Sequence, residues 1–176
     1  MKMNKKLLML GATFAIVVQF DTIAMAANNV DGSATVEIVE PLTITESNGL
    51  NFGKIASGTT SGTINVNTAG TVTKTAGPAD LQVVDAAGSA GVFAIAGEPS
   101  LLFTVTVPAS TSLSPTGTSG GAPMNVTLAS DATTINAAGL DGLGDATLTV
   151  TGDLAVGANQ AADTYSGIYN VTVFYQ

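Results

Sequence analysis

The 176-residue sequence contains no cysteine, no histidine, no tryptophan and no arginine. Without cysteine the fold has no disulfide bonds, although small exported domains commonly depend on them. Without histidine and cysteine, neither a Ser-His-Asp nor a Cys-His catalytic arrangement is possible, and the usual zinc ligands are missing. The sequence also has no glycine-rich phosphate-binding motif. We therefore predict that the protein is not an enzyme and has no catalytic residues, no metal site and no cofactor.

Charged residues are also scarce, at 10% of the chain, and acids outnumber lysines by thirteen to five. An acidic surface repels phosphate backbones, which excludes nucleic acid as a partner. So few charges produce little repulsion between copies, and this favours dense assembly. Asp141 and Asp145 flank a Gly-Leu-Gly turn, but calcium takes about six to eight oxygen ligands. We interpret these two residues as a plain turn.

The first 26 residues have the organisation of a secretory signal peptide. Three lysines lie within the first six residues, an apolar run covers residues 7–18, and small residues stand at 24–26. A membrane-spanning helix needs about 20 apolar residues, and this run is shorter. We expect cleavage after Ala26, export to the cell surface, and no stable membrane anchor afterwards.

Residues 27–176 alternate apolar and polar side chains with a period of two, which is typical of β-strands. Glycine, proline, asparagine and aspartate separate the runs. Strands are predicted near residues 34–39, 42–44, 50–52, 64–66, 101–107, 126–128, 148–156 and 169–175. Many short strands with frequent turn signals predict an all-β fold, and an immunoglobulin-like β-sandwich fits the length best.

Three further segments complete this interpretation. The alanine-rich stretches at residues 85–97 and 132–144 contain too much glycine for a helix interior, so no amphipathic helix is predicted. Residues 108–123, rich in Ser, Thr, Gly and Pro, are predicted to form a loop. Gly152 lies inside the strand predicted over residues 148–156 and is expected to form a β-bulge.

The first predicted strand, residues 33–40, could mediate an interaction with another molecule. Its residues Ala34, Val36 and Ile38 share the apolar phase. Pro41 follows, and proline cannot donate a hydrogen bond to a ladder, so this strand is separated from the next one. A terminal strand placed before such a break can pair with its own sheet or with the sheet of another molecule. The first possibility would give a self-closed monomer.

Two motifs give the sequence a resemblance to known proteins. The first is Leu50-Asn51-Phe52-Gly53, and the second is Tyr165-Ser-Gly-Ile-Tyr-Asn-Val-Thr-Val-Phe-Tyr175. In these motifs the chain resembles subunits of chaperone–usher pili, especially the archaic, spore-coat-U-like branch, whose usual cysteine pair it lacks. It is also similar to an uncharacterised family of exported bacterial β-domains with L-x-F-G near the start and V-T-V-x-Y at the end.

The resemblance implies donor-strand exchange, in which an incomplete sandwich is completed by the N-terminal strand of a neighbouring subunit. The donor side chains would be those of Ala34, Val36 and Ile38. The acceptor would be the C-terminal strand, with the side chains of Tyr169, Val171, Val173 and Tyr175. The implied partners are further copies of the chain, a periplasmic chaperone and an outer-membrane usher.

The organisation expected on this basis is a signal peptide at residues 1–26, a donor extension at 27–40 and a β-sandwich domain at 41–176. The function expected is that of a structural subunit of an extracellular, pilus-like filament. Two alternatives stay open, namely a monomeric surface adhesin and a matrix or coat protein, each with a self-closed sandwich.

Overall fold

The computed structural model describes residues 28–176, so the predicted signal peptide and its cleavage site lie outside the described residues. The chain divides into two units, Met1–Glu37 and Ile38–Gln176. In the first unit, residues 28–37 are exposed and form neither helix nor strand. Within residues 28–176, no helix is long and apolar enough to cross a membrane.

The second unit is almost entirely β-structure, because its apolar residues recur with the two-residue period of strands. A short helix follows the ninth strand. The elements are β1 Thr43–Asn48, β2 Lys54–Ala56, β3 Gly62–Val66, β4 Val72–Ala76, β5 Gln82–Asp85, β6 Gly91–Ala96, β7 Phe103–Thr106, β8 Ser110–Pro115, β9 Met124–Ser130, α1 Ala132–Ala138, β10 Asp145–Val156, β11 Tyr165–Ser166 and β12 Thr172–Tyr175.

Eight strands form one antiparallel sheet, here called the main sheet, in the order β1-β6-β10-β9-β8-β11, with β3 beside β10 and β4 beside β3. The long strand β10 organises this sheet. One edge of β10 pairs first with β6 and then with β3, while its other edge pairs with β9. Two smaller sheets, β12-β7 and β2-β5, complete a sandwich-like fold and confirm the all-β prediction.

The hydrophobic core lies where side chains of the main sheet meet those of the smaller sheets. In β9 buried and exposed residues alternate over Met124–Ser130, and in β7 Phe103 and Val105 are buried. The largest fully buried side chains belong to Phe103, Ile64, Leu81, Ile95, Leu148 and Leu154. Burial of each such side chain contributes about 1.5–3 kcal/mol before entropic costs, so the core can hold the fold without disulfide bonds.

The predicted bulge at Gly152 is wrong. Gly152 pairs in regular register with Leu128 on one side and with Val66 on the other. The glycine is required for packing, since a Cβ atom there would lie 3.1 Å from Phe52 Cζ and 3.2 Å from Leu50 Cδ2. The absence of a side chain at this position therefore leaves room for Phe52 and Leu50, which lie against β10.

Four other expectations also need correction. Helix α1 occupies the start of the segment 132–144, where Gly139 ends the helix instead of interrupting it. Strand β8 lies within the predicted loop 108–123. Residues 50–52 contribute only a single bridge, from Asn51 to Ser89. Residues 28–42 form no strand in the isolated chain, because a strand exists only where ladder bonds join it to a partner.

Candidate functional site

A groove of about 830 Å³ opens in the second unit. Its floor is formed by apolar side chains of β8, β9 and β10, namely Leu113, Met124, Val126, Leu154 and Val156. One wall is formed by residues 48–57 and the other by residues 160–167 together with Tyr169. The groove therefore opens into the core of the sandwich between these two walls.

The wall at residues 48–57 is held in place by its backbone. Asn51 exchanges two backbone hydrogen bonds of 2.9 Å with Ser89, and its side chain accepts a hydrogen bond of 2.8 Å from the Gly53 amide. Gly53 has a φ of 70°, a conformation that favours glycine. As a result Phe52 turns inward and is only 7% exposed.

Part of the opposite wall belongs to residues 165–175, which contain β11 and β12 and are here called the C-terminal strand. Strand β11 pairs Tyr165 with Pro115 of β8, and β12 pairs Tyr175 with Phe103 of β7. Within residues 28–176, each of these two strands has only that one partner, so the edge facing away from β7 and β8 is unpaired. Residues 167–171 between them make no backbone–backbone hydrogen bond to any described residue.

The side chains of the C-terminal strand alternate between two environments. Tyr169, Val171, Val173 and Tyr175 are half-buried and pack against the core, while the residues between them are exposed. A strand that is packed on its side-chain face but unpaired on one backbone edge can accept another strand. These four side chains therefore share one face, and their role as an acceptor is a proposal.

Tyr169 ties this wall to the main sheet. Its ring meets that of Phe93 edge to face, with centroids 6.0 Å apart and an interplanar angle of 77°. Its hydroxyl is buried beside Gly91 without a hydrogen-bond partner among the described residues. Burial, with a smaller contribution from the charge of Glu46, raises the pKa of Tyr169 to about 12. The phenol therefore stays protonated and serves as a packing group.

Asp163 fixes a loop at the end of the groove. Its carboxylate accepts hydrogen bonds from the Ser119 hydroxyl at 2.5 Å, the Thr164 amide at 2.7 Å and the Gly117 amide at 3.0 Å. The Ser119 hydroxyl makes the largest contribution to lowering the pKa of Asp163 below its ordinary value, and the backbone amides add to it. The charged form of this side chain therefore organises the loop.

The lowered pKa of Asp163 predicts acid sensitivity. A carboxyl whose pKa is lower in the folded state stabilises the fold above its unfolded pKa, near 3.8, and that contribution is lost as pH falls through the folded pKa. At pH 7 Asp163→Asn should melt below the wild type, and the gap should narrow towards pH 3. Melting curves across this range test the expectation. A gap that stays the same from pH 7 to pH 3 would contradict the assignment.

The turn at Asp141 is held by its own backbone. The Asp141 carboxylate accepts hydrogen bonds from the amides of Leu143 at 2.8 Å and Asp145 at 2.9 Å. These bonds satisfy the carboxylate within the turn and lower its pKa, the Asp145 amide contributing most. In the described part of the chain, no three acidic residues lie close enough to hold a metal ion.

The predicted donor side chains are exposed in the isolated chain. Ala34 and Val36 belong to the exposed residues 28–37, where Val36 is 86% exposed. Ile38, in the second unit, is 90% exposed. The sequence analysis did not identify Leu113 and Met124 of the groove floor. Isolated apolar residues within or next to a Ser- and Gly-rich stretch do not form a recognisable alternation.

Comparison with known proteins identifies the family of the chain. No curated protein and no solved structure matches it. Residues 42–175 match a family model described as a domain of unknown function, DUF4402. The matched residues include the L-x-F-G motif, both walls of the groove and all of the strands from β1 to β12. The chain therefore belongs to the DUF4402 family.

Proposed function

We propose that this protein is a structural subunit of an extracellular filament, in which the N-terminal segment of one copy lies in the groove of the next. The observation that carries the proposal is the edge of the C-terminal strand, unpaired among residues 28–176, beside an open apolar groove. An exposed strand edge over an apolar cavity is an aggregation hazard unless something covers it. Adding a strand satisfies both the backbone edge and the apolar floor.

The N-terminal segment has the chemistry that such a groove requires. Its even-numbered positions include Val30, Ala34, Val36 and Ile38, and the valine and isoleucine side chains are at least 86% exposed. Of its charged residues, Asp31 and Glu37 stand on the other phase and would face away from an apolar floor, while Glu40 lies at the base of the segment. Burying each valine or isoleucine would contribute about 1.5–3 kcal/mol before the costs of ordering the segment.

The experiment that tests this function removes the donor and restores it as a peptide. A chain lacking residues 27–40 should fold, because its first strand begins at Thr43, but it should not assemble. A peptide covering residues 29–40 should bind it and raise its melting temperature, since a ligand at about a hundred times its Kd stabilises by about 2.7 kcal/mol. Electron microscopy follows assembly, and calorimetry follows melting.

The matched control is the same peptide with aspartate in place of Val36, which should not raise the melting temperature. Normal assembly by the truncated chain would contradict the donor assignment. Discrete particles from the full chain would favour the monomeric adhesin, and fibres from the truncated chain would favour a coat protein with a self-closed sandwich. The three functions therefore give three different results.

A further inference from the structure

The side chains of Tyr175 and Glu98 hold the backbone of Glu40, at the base of the N-terminal segment. The Tyr175 hydroxyl donates to the Glu40 carbonyl at 2.8 Å and accepts a hydrogen bond from the Glu98 amide at 2.7 Å. The Glu98 carboxylate accepts from the Glu40 amide at 3.1 Å. Both backbone hydrogen-bonding groups of Glu40 are thus occupied by one arrangement, which we call the clamp.

The clamp is separated from the groove by most of the length of a strand, whether the distance is measured along β1 or along the C-terminal strand. In β1, Thr43 pairs with Ala96 near the clamp, and Asn48 reaches the groove wall; the rise from Thr43 to Asn48 is about 17 Å. On the other side, the C-terminal strand runs from Tyr175 to Tyr169, its residue at the near end of the groove, over about 20 Å of extended chain.

The two large apolar side chains nearest the clamp, Ile38 and Val36, cannot cover that distance. An extended chain leaving Glu40 carries Ile38 about 7 Å, Val36 about 13 Å and Ala34 about 20 Å from the clamp. With Glu40 held, Ile38 and Val36 fall short of the groove of their own copy, and only the small Ala34 and the residues before it could come near its mouth. A second copy has no such restriction.

We propose that Tyr175 and Glu98 are positioning residues that keep the groove free for the N-terminal segment of a second copy. This inference rests on the proposed function. It adds the residues that determine whether the N-terminal segment enters the groove of a second copy or the groove of its own copy. Loss of the clamp would release Pro41 and the preceding residues and lengthen the reach of the segment. The expected consequence is insertion of the segment into its own groove.

Cross-linking distinguishes the two outcomes cleanly, because the chain has no cysteine of its own. The full-length protein carries Val36→Cys with Leu113→Cys, in the groove floor, and is treated with a short bis-maleimide. Links between copies give multimers on a denaturing gel, whereas a link within one copy gives a monomer of changed mass. In the otherwise wild-type background we expect multimers.

Tyr175→Phe keeps the ring and removes both hydrogen bonds of the hydroxyl, so the fraction linked within one copy should rise about tenfold. Glu98→Ala should act in the same direction, and Glu98→Gln, which keeps an acceptor, should resemble the wild type. The matched control is Thr43→Val in β1, which removes a hydroxyl hydrogen bond of 3.2 Å to the Ala96 carbonyl near the clamp and leaves the clamp itself intact. Circular dichroism verifies that each variant is folded.

Multimers that persist unchanged in both Tyr175→Phe and Glu98→Ala would overturn the clamp while supporting exchange. Links within one copy in the wild-type background would overturn the clamp as well. The absence of any link between the thiols introduced at positions 36 and 113, in folded protein of every background, would overturn the proposed function itself.

Discussion

Val36→Asp is expected to abolish filament assembly, whereas Thr35→Asp is expected to leave it largely intact. Val36 is 86% exposed in the isolated chain, so the substitution should not disturb the fold of the subunit. In the groove of a second copy the new carboxylate would lie against apolar side chains and without a partner. Such burial costs several kcal/mol, and every ~1.4 kcal/mol reduces affinity about tenfold.

Thr35→Asp is the matched control because successive side chains of a strand point to opposite faces. The two variants carry the same added charge and differ only in the face of the strand on which it lies. Polymer yield from native filaments, with export measured separately, gives the comparison. Equal yields would mean that the alternation does not define a buried face, and donor-strand exchange would then lose its main support.

A mixture of Val36→Asp and wild-type chains should give shorter filaments than wild type alone. The variant has a defective donor but an intact groove, so it can accept one neighbour and offer nothing to the next. Filament lengths measured by electron microscopy across several mixing ratios test this. A variant that leaves wild-type filaments at full length does not join them, and that result would argue against an open groove.

Gly152→Val is the second substitution from which we expect a large effect. A Cβ atom at this position would lie 2.9 Å from Val126 Cγ1 and 3.1 Å from Phe52 Cζ, inside a buried part of β10. Overpacking a core typically costs about 1–3 kcal/mol and occasionally more. We expect a loss near the upper end, because Phe52 and Leu50 would have to move outward.

The control for this substitution is Gly142→Val, since no described atom beyond its chain neighbours lies within 4 Å of a Cβ built on Gly142. Chemical denaturation of both variants gives the free energies of unfolding. Gly152→Val should also weaken binding of the 29–40 peptide, because Leu50 and Phe52 line the groove. Equal stability of the two variants would show that the crossing of β10 by these side chains does not require glycine.

The strands that the sequence predicted best are those with long alternations. The runs around Val105, Val126, Val150 and Val173 all lie in strands, because their apolar phase faces a core and tolerates no slip of register. Glycine caused two of the errors. At Gly152 it allows close packing, and at Gly139 it ends a helix; the sequence pattern alone does not separate these uses from a bulge or a loop.

The groove could not have been predicted from the sequence. Its floor joins Leu113, Met124 and Leu154, which come together only because β8, β9 and β10 pair side by side. Its walls depend on pairings between β2 and β5 and between β11 and β8, which join segments far apart in the chain. Local alternation specifies which side chains are buried, and it carries no information on which strand edge lacks a partner.

The clamp at Glu40 also determines how tension would travel along a filament assembled in this way. A pull on the N-terminal segment would reach Glu40, where the backbone continues into β1 and the Tyr175 hydroxyl offers a second path to the end of the C-terminal strand. The hydrogen bonds between β12 and β7 lie across the strand axis, so a pull along β12 would load them together in shear instead of opening them one after another. The same strand borders the groove in which the proposed donor would lie, so in such a filament it would connect the two points at which a subunit is loaded.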